Sequence, residues 1–175
     1  MATYQIDPLH SEIVFKVKHL MISTVTGNFN SFDASMQTDA DDFENAAISF
    51  SAQANSISTN NEQRDGHLKS ADFFDAEKYP EIKFVSTSFK KKNDEQYILV
   101  GNLTIKDQTH SVELAAEYGG TMTDFYGQTK VGFEVSGKIS RSQFGLTWSA
   151  VTEAGGIVVS DEIKLQLAVQ FIKQA

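Results

Sequence analysis

The sequence predicts an all-β fold of about eight antiparallel strands, arranged as a closed up-and-down barrel or as a sandwich. The first observation is that apolar and polar residues alternate with period two in nearly every segment. The second is that the joints between segments are short, as at Lys92–Gln96, Lys106–Gln108 and Gly119–Asp124. Short joints favour antiparallel neighbours, because a parallel crossover needs about a dozen residues or more. The third is the length of 175 residues, which is most simply interpreted as one domain spanning 1–175.

Four segments show the alternation clearly and four show it less cleanly. The clear ones are Glu12–His19, Ala46–Asn55, Lys130–Ile139 and Glu162–Phe171. The others are Gly27–Thr38, Ile82–Phe89, Tyr97–Lys106 and His110–Tyr118. Each pattern gives a strand one apolar face and one polar face, as expected for a sheet that covers a core on one side.

Two stretches interrupt the strand pattern. His19–Gly27 is predicted to be a short helix or a loop between two strands. Asn60–Pro80 is predicted to begin with a helix, because Asn60 or Asn61 is a favourable N-cap and Glu62 and Gln63 suit a first turn. Pro80 marks the end of that region before the next strand. One or two short helices would then close an end of the barrel.

Composition excludes several classes of protein. The chain has no cysteine, which rules out thiol nucleophiles, disulfides and zinc–thiolate sites. A net charge of -8 argues against nucleic-acid binding, which normally uses a basic patch. The first residues form no secretory signal and no apolar run is long enough to span a membrane, so a cytoplasmic location is expected. No motif of a recognisable catalytic class is present.

The inward faces of the predicted strands are mostly aliphatic and aromatic, with small residues such as Ala52 and Ala116 among them. An eight-stranded barrel is either filled by its side chains or holds one small ligand. Small inward residues leave room for a ligand, but they also fit the taper of a packed core. The residues alone leave both interpretations open.

Polar candidates are few. Arg64 pairs with Glu62, Asp65 or Asp72, or else its guanidinium lies at a barrel mouth and binds a phosphate or carbonyl group. Arg141 admits the same two interpretations. Asp65 and His67 are two residues apart and do not share a helix face, so an Asp–His relay within this segment is not expected. No metal site and no cofactor are predicted.

Five stretches in order resemble the YceI-like family of polyisoprenoid-binding, lipocalin-like proteins. They are Tyr4–Leu20, Val25–Ala34, Ser56–Phe84, Val100–Leu114 and Ile139–Trp148, and they span nearly the whole chain. The resemblance implies a lipocalin-like barrel of about eight strands, partly closed by a helix, with an apolar tunnel for a long-chain lipid. The implied partner is a long-chain isoprenoid or quinone-like lipid or a fatty amide, bound by a monomer or homodimer.

On this resemblance the protein is expected to carry or sequester its lipid without catalysis, in transport or a stress response. The tail is expected to contact the inward apolar residues Phe15, Val17, Phe29, Phe50, Ala52, Phe84, Leu103, Phe133, Val135 and Leu167. The head group is expected near His19, Asn60, Arg64, Asp65, His67, Arg141 and Trp148. The alternative is an enzyme acting on such a lipid at the barrel mouth, with His19, Arg64, Asp65 or His67 as acid, base or electrostatic clamp.

Overall fold

The computed structural model describes residues 1–20, 22–39, 42–147 and 159–175. Within these ranges the chain forms one α-helix, α1 (Glu62–Lys69), and three short 3-10 turns at Pro8–His10, Ala54–Ser56 and Arg141–Phe144. The strands are β1 (Ala2–Ile6), β2 (Glu12–His19), β3 (Ser23–Phe29), β4 (Phe32–Thr38), β5 (Ala47–Gln53), β6 (Ile57–Ser58), β7 (Glu81–Lys91), β8 (Gln96–Ile105), β9 (Gln108–Thr123), β10 (Thr129–Ser140) and β11 (Val159–Lys173).

Eight of these strands close into an antiparallel ring. The order is β1-β4-β5-β7-β8-β9-β10-β11, and pairing of β1 with β11 completes it. Closure satisfies the backbone groups that an open sheet would leave at its edges. The prediction of an all-β antiparallel barrel is therefore confirmed, and the sandwich alternative is wrong.

The three remaining strands, β2, β3 and β6, extend the barrel wall at one end, beyond the complete ring. There β11 pairs with β2, β2 with β3, and β3 with the two-residue strand β6. No pairing joins β6 to β7 within the described residues. The connection between them consists of α1 and the turns up to Pro80. We call the end with the complete ring the closed end, and the end with His19, α1 and Arg141 the helix end.

The closed end is blocked by aromatic side chains. Phe43, between β4 and β5, is 4% exposed, and its ring packs 5.6 Å from that of Tyr4 and 5.7 Å from that of Phe133. Tyr118 lies 5.9 Å from the Phe43 ring. Phe43 has a φ of +65°, a left-handed conformation that is rare for a bulky residue. This cluster closes the barrel interior against solvent on that side.

At two positions in the barrel wall, an aromatic ring packs directly against a glycine of the neighbouring strand. A Cβ at Gly27 would lie 2.3 Å from Cζ of Phe15, and one at Gly101 would lie 2.4 Å from Cζ of Phe84. Each ring therefore lies over a glycine on the neighbouring strand. A larger residue at either glycine would push the ring into the barrel interior, so these glycines help to keep that interior open.

Of the two alternatives predicted for His19–Gly27, the short helix is wrong, and the loop between two strands is limited to the turn that precedes Ser23. The chain makes a tight turn after His19, and β3 then runs from Ser23 to Phe29 in register with β2. The amide of Ile22 donates to the carbonyl of His19 at 3.2 Å. The predicted single strand over Gly27–Thr38 is correspondingly two strands, β3 and β4, separated by Asn30 and Ser31.

The turn predicted at Gly119–Asp124 is also displaced. β9 continues through both glycines to Thr123, with a register shift near Gly132 of β10 that accommodates them. The turn lies at Asp124–Gln128, where the Asp124 carboxylate accepts hydrogen bonds from the amides of Tyr126 (2.9 Å) and Gln128 (3.0 Å). The hydrogen-bonding side chain, and not the glycine pair, fixes the position of the turn.

The polar segment after β6 forms a shorter helix than the sequence pattern indicated. Asn61 is its N-cap, and the Oδ1 atom of Asn61 accepts from the amide of Arg64 at 3.0 Å. The helix ends at Lys69 because Ser70 adopts extended backbone. The following residues, up to Pro80, fold as turns that return the chain to β7.

Candidate functional site

The barrel contains a cavity of about 390 Å³. Its size falls within the range of about 300–1,000 Å³ that is typical of small-molecule sites. Among the described residues that line it, all but five are apolar. The interior is therefore hollow, which decides between the two interpretations that the sequence left open.

All ten residues predicted to contact a lipid tail line this cavity. They are Phe15, Val17, Phe29, Phe50, Ala52, Phe84, Leu103, Phe133, Val135 and Leu167. Their position follows from strand alternation, because every second residue of β2, β5, β10 and β11 points inward. Their contact with a lipid stays a prediction.

The five polar lining residues lie on the part of the cavity toward the helix end. They are His19, Thr59, Arg64, His67 and Arg141. His19 is the last residue of β2 and lies opposite Val159 at the start of β11. Arg141 follows β10 directly. No carboxylate is among the described residues that line the cavity, so its polar end presents hydrogen-bond donors and cationic groups.

Arg64 is held by Thr59, in the connection between β6 and its own helix. Its Nε donates to Oγ1 of Thr59 at 2.7 Å, and its Nη2 donates to the Thr59 carbonyl at 2.8 Å. Asp65 braces the same threonine, since its Oδ1 accepts from the Thr59 amide (2.8 Å) and hydroxyl (2.5 Å). Thr59 therefore orients the guanidinium. The predicted alternative, a direct pair with Glu62, Asp65 or Asp72, is not what holds it. Asp65 itself does not line the cavity.

Arg141 is buried, with 6% of its surface exposed. Its Nη1 donates to the carbonyl of Leu146 at 2.6 Å, its Nε to that of Ser160 at 2.9 Å and its Nη2 to that of Val159 at 3.2 Å. Burial lowers the pKa of the Arg141 guanidinium from its ordinary value. The side chain ties the 3-10 turn after β10 to the start of β11, and it also lines the cavity.

Of the other residues predicted to bind the head group, His67 lines the cavity and Asn60 does not. The Nε2 atom of His67 lies 2.9 Å from Oδ2 of Asp72, and the His67 ring packs edge-on against Phe73 at 5.1 Å. Asn60 is exposed and does not line the cavity. Trp148 lies outside the described residues.

Sequence reasoning did not select several residues that line the cavity from the helix segment. Leu68, Phe73 and Phe74 all contribute to its wall where β6 and β7 are unpaired. The apolar pair at Phe73 and Phe74, in an otherwise polar stretch, was the available signal. Thr59, which is 5% exposed and positions Arg64, carried no signal of its own.

Asp161 stabilises the turn that carries Arg141. Its carboxylate accepts hydrogen bonds from the Ser140 hydroxyl and from the Ser142 amide, the latter at 3.0 Å. These contacts, the Ser140 hydroxyl first, hold the pKa of Asp161 below its usual value of 3.8. Because the folded pKa is depressed, the stabilisation is fully present above pH 3.8 and is lost as pH falls through the folded pKa.

We therefore expect acid to lower the thermal unfolding midpoint more steeply in the wild type than in Asp161→Asn below about pH 4. The measurement is the midpoint by circular dichroism from about pH 5 to about pH 2.5. Asp94→Asn, at a fully exposed turn position, is the control and should follow the wild type. Parallel curves for the wild type and Asp161→Asn would contradict this role of Asp161.

The described residues contain no group of three or more histidine, aspartate or glutamate side chains that could hold a metal ion. In the same part of the chain, no helix has the length and apolarity needed to cross a bilayer.

Taken together, a closed eight-stranded antiparallel barrel with a hollow apolar interior and donor groups toward one end defines a ligand-cavity barrel of lipocalin-like architecture. The chain belongs to the YceI-like family, whose domain model matches residues 4–171. A UPF0312 protein of Staphylococcus epidermidis is 37% identical over 172 residues, which is 98% of either chain.

Solved structures agree with this fold. BcnA of Burkholderia cenocepacia superposes with a TM-score of 0.82 at 21% identity, over 94% of this chain and 98% of that one. A polyisoprenoid binding domain from Saccharophagus degradans, implicated in plant cell wall breakdown, superposes with a TM-score of 0.70 at 12% identity, over 98% of both chains. At these identities the likeness concerns the fold.

Proposed function

We propose that this protein binds one long-chain amphiphile of isoprenoid type, with its tail inside the barrel and its head group at the helix end. The protein then carries or sequesters the lipid without changing it. The observation that carries this proposal is the cavity of about 390 Å³, whose described lining is apolar except for five residues toward the helix end.

The energetics of tail burial support the proposal. Each CH₂ group removed from water contributes about 0.8 kcal/mol, so burying about ten of them supplies about 8 kcal/mol before the costs of association. The apolar part of the cavity wall needs no hydrogen bonds from such a tail. Affinity can then come from the hydrocarbon, and chain variants of similar length should bind with similar strength.

The polar end supports an acidic or carbonyl-bearing head group. Two guanidinium groups, of Arg64 and Arg141, and the imidazoles of His19 and His67 line it. Arginine donors suit phosphate and carbonyl oxygens because of their planar fork. The Saccharophagus degradans neighbour is described as polyisoprenoid-binding, which favours an isoprenoid over other apolar ligands.

Native mass spectrometry of the gently purified protein tests this proposal. We expect one adduct per chain with the mass of a lipid, and we expect the delipidated protein to take up one isoprenoid quinone and to gain thermal stability. Recovery of the added lipid with unchanged mass supports carriage without chemistry. A converted lipid would instead support an enzyme, and a chain that stays empty with every isoprenoid offered would overturn the proposal.

A further inference from the structure

The turn between β2 and β3 exposes apolar side chains beside the polar end of the cavity. Ile22 is 83% exposed and Leu20 is 39% exposed. Leu20 has a φ of +53°, a backbone conformation for which turns ordinarily use glycine or asparagine. His19, immediately before this turn, lines the cavity. A position that suits a small polar residue thus carries a large apolar one at the helix end.

Lysines lie on the outer face of β2, β10 and β11, next to this turn. Lys16 of β2 is in register with Lys164 of β11, and Lys164 is in register with Lys138 of β10. Residues 15, 17, 139, 163 and 165 point into the cavity, so these three lysines point outward. Lys18 follows on the same face of β2, about 7 Å from Lys16 along the strand.

This arrangement is unfavourable for an isolated barrel. Like charges directly opposite each other on neighbouring strands destabilise a sheet. Within the described part of the chain the carboxylates on or beside this face are Glu162, whose Oε1 lies 3.6 Å from Nζ of Lys138, and Asp161, which is engaged by Ser140 and Ser142. Glu12 of β2, Glu113 of β9 and Glu134 of β10 are also exposed on these strands. Among the described residues Lys16, Lys18 and Lys164 form no ion pair, and Lys138 alone of the row pairs with a carboxylate, that of Glu162.

We propose that the exposed side chains of Leu20 and Ile22 and the row Lys16, Lys18, Lys138 and Lys164 form a docking surface for an anionic phospholipid bilayer. The lysines contact lipid phosphates, and the exposed side chains of Leu20 and Ile22 enter the interfacial region. The role of this surface rests on the proposed function, because a hydrocarbon ligand resides in a bilayer before a protein takes it up. Docking by this surface brings the polar end of the cavity to the lipid.

The test is co-sedimentation with two kinds of vesicle, phosphatidylcholine alone and phosphatidylcholine with about one third phosphatidylglycerol. The wild type should bind the anionic vesicles, and binding should weaken with added salt. Lys16→Glu/Lys164→Glu should bind at least about tenfold more weakly, since each lysine near an anionic surface contributes about fivefold. Ile22→Ser should also weaken binding.

Matched variants at the closed end control for net charge and apolar exposure. Lys92→Glu/Lys173→Glu makes the same charge change, and Phe125→Ser removes a fully exposed ring from the β9–β10 turn. Both should bind vesicles like the wild type. Lys18→Glu serves as a second basic-row variant if the double substitution lowers the thermal unfolding midpoint.

Three results would overturn the docking proposal. They are absence of wild-type binding to anionic vesicles, binding that the basic-row variants do not reduce, and an equal reduction by the closed-end variants. Ala52→Phe, which blocks the cavity and leaves this surface intact, keeps the two proposals apart. Loss of lipid uptake with retained vesicle binding in Ala52→Phe supports both, whereas a wild type that binds vesicles but never holds a lipid refutes only the cavity function.

Discussion

Ala52→Phe is expected to remove most lipid uptake while the barrel still folds. Ala52 is 1% exposed, lines the cavity and lies between Phe32 of β4 and Ile82 of β7 in the sheet register. A benzyl group at this position occupies the space that the tail would fill. If it displaces about three CH₂ groups, the lost burial is about 2.4 kcal/mol, which weakens binding about 50-fold.

The measurement is retention of an isoprenoid quinone by delipidated protein, with folding checked by circular dichroism. Ala47→Phe is the matched control, because Ala47 lies on the same strand but is exposed. It should retain lipid like the wild type. Val17→Phe, at a half-buried lining position nearer the helix end, is a second blocking variant that tolerates the added volume more easily. Unchanged retention in both blocking variants would show that the tail binds elsewhere.

Arg141→Met is expected to destabilise the fold by about 3 kcal/mol. Methionine keeps much of the side-chain length but leaves the carbonyls of Leu146, Val159 and Ser160 without the donors they have in the wild type. Each lost hydrogen bond to a buried group costs about 1 kcal/mol or more. The stability of Arg141→Lys should lie between that of the wild type and that of Arg141→Met, because lysine retains the charge but not the planar fork.

Urea unfolding measures this effect. The chain has one other arginine, so Arg64→Met is a control with the same chemical change. Arg64 is exposed and its hydrogen bonds end on a single residue, Thr59, so the loss should stay below about 1 kcal/mol. Equal losses for the two variants would contradict the assignment of Arg141 as the group that fastens the turn after β10 to β11.

Several features were predictable from local patterns. Period-two alternation placed Ile13, Phe15 and Val17 inward on β2, and it placed every second residue of β11 inward. These β11 residues are Ile163, Leu165, Leu167, Val169 and Phe171, and both sets line the cavity. Asn61 was one of two predicted N-caps and is the one used. These predictions hold because side-chain direction in a strand and cap chemistry in a helix depend on residues close in sequence.

Other features depend on contacts between distant residues and could not be read from a pattern. The β2–β3 turn gave no glycine or proline signal, since Leu20 itself adopts the left-handed conformation. Phe43 carries no sequence mark that distinguishes it from the other phenylalanines, yet it blocks the closed end. The partner of Arg64 is Thr59, and the partners of Arg141 are carbonyls, which no charge pattern reveals.

By itself the sequence determined the strand class, the inward set of apolar residues and the absence of cysteine chemistry. The tertiary structure decided that the barrel is hollow, that one end is blocked by aromatic rings, and that the cationic lining residues gather toward the other. The physical reason is that alternation specifies which face of each strand is apolar, whereas the space between opposite walls depends on how rings such as Phe15 and Phe84 lie over Gly27 and Gly101.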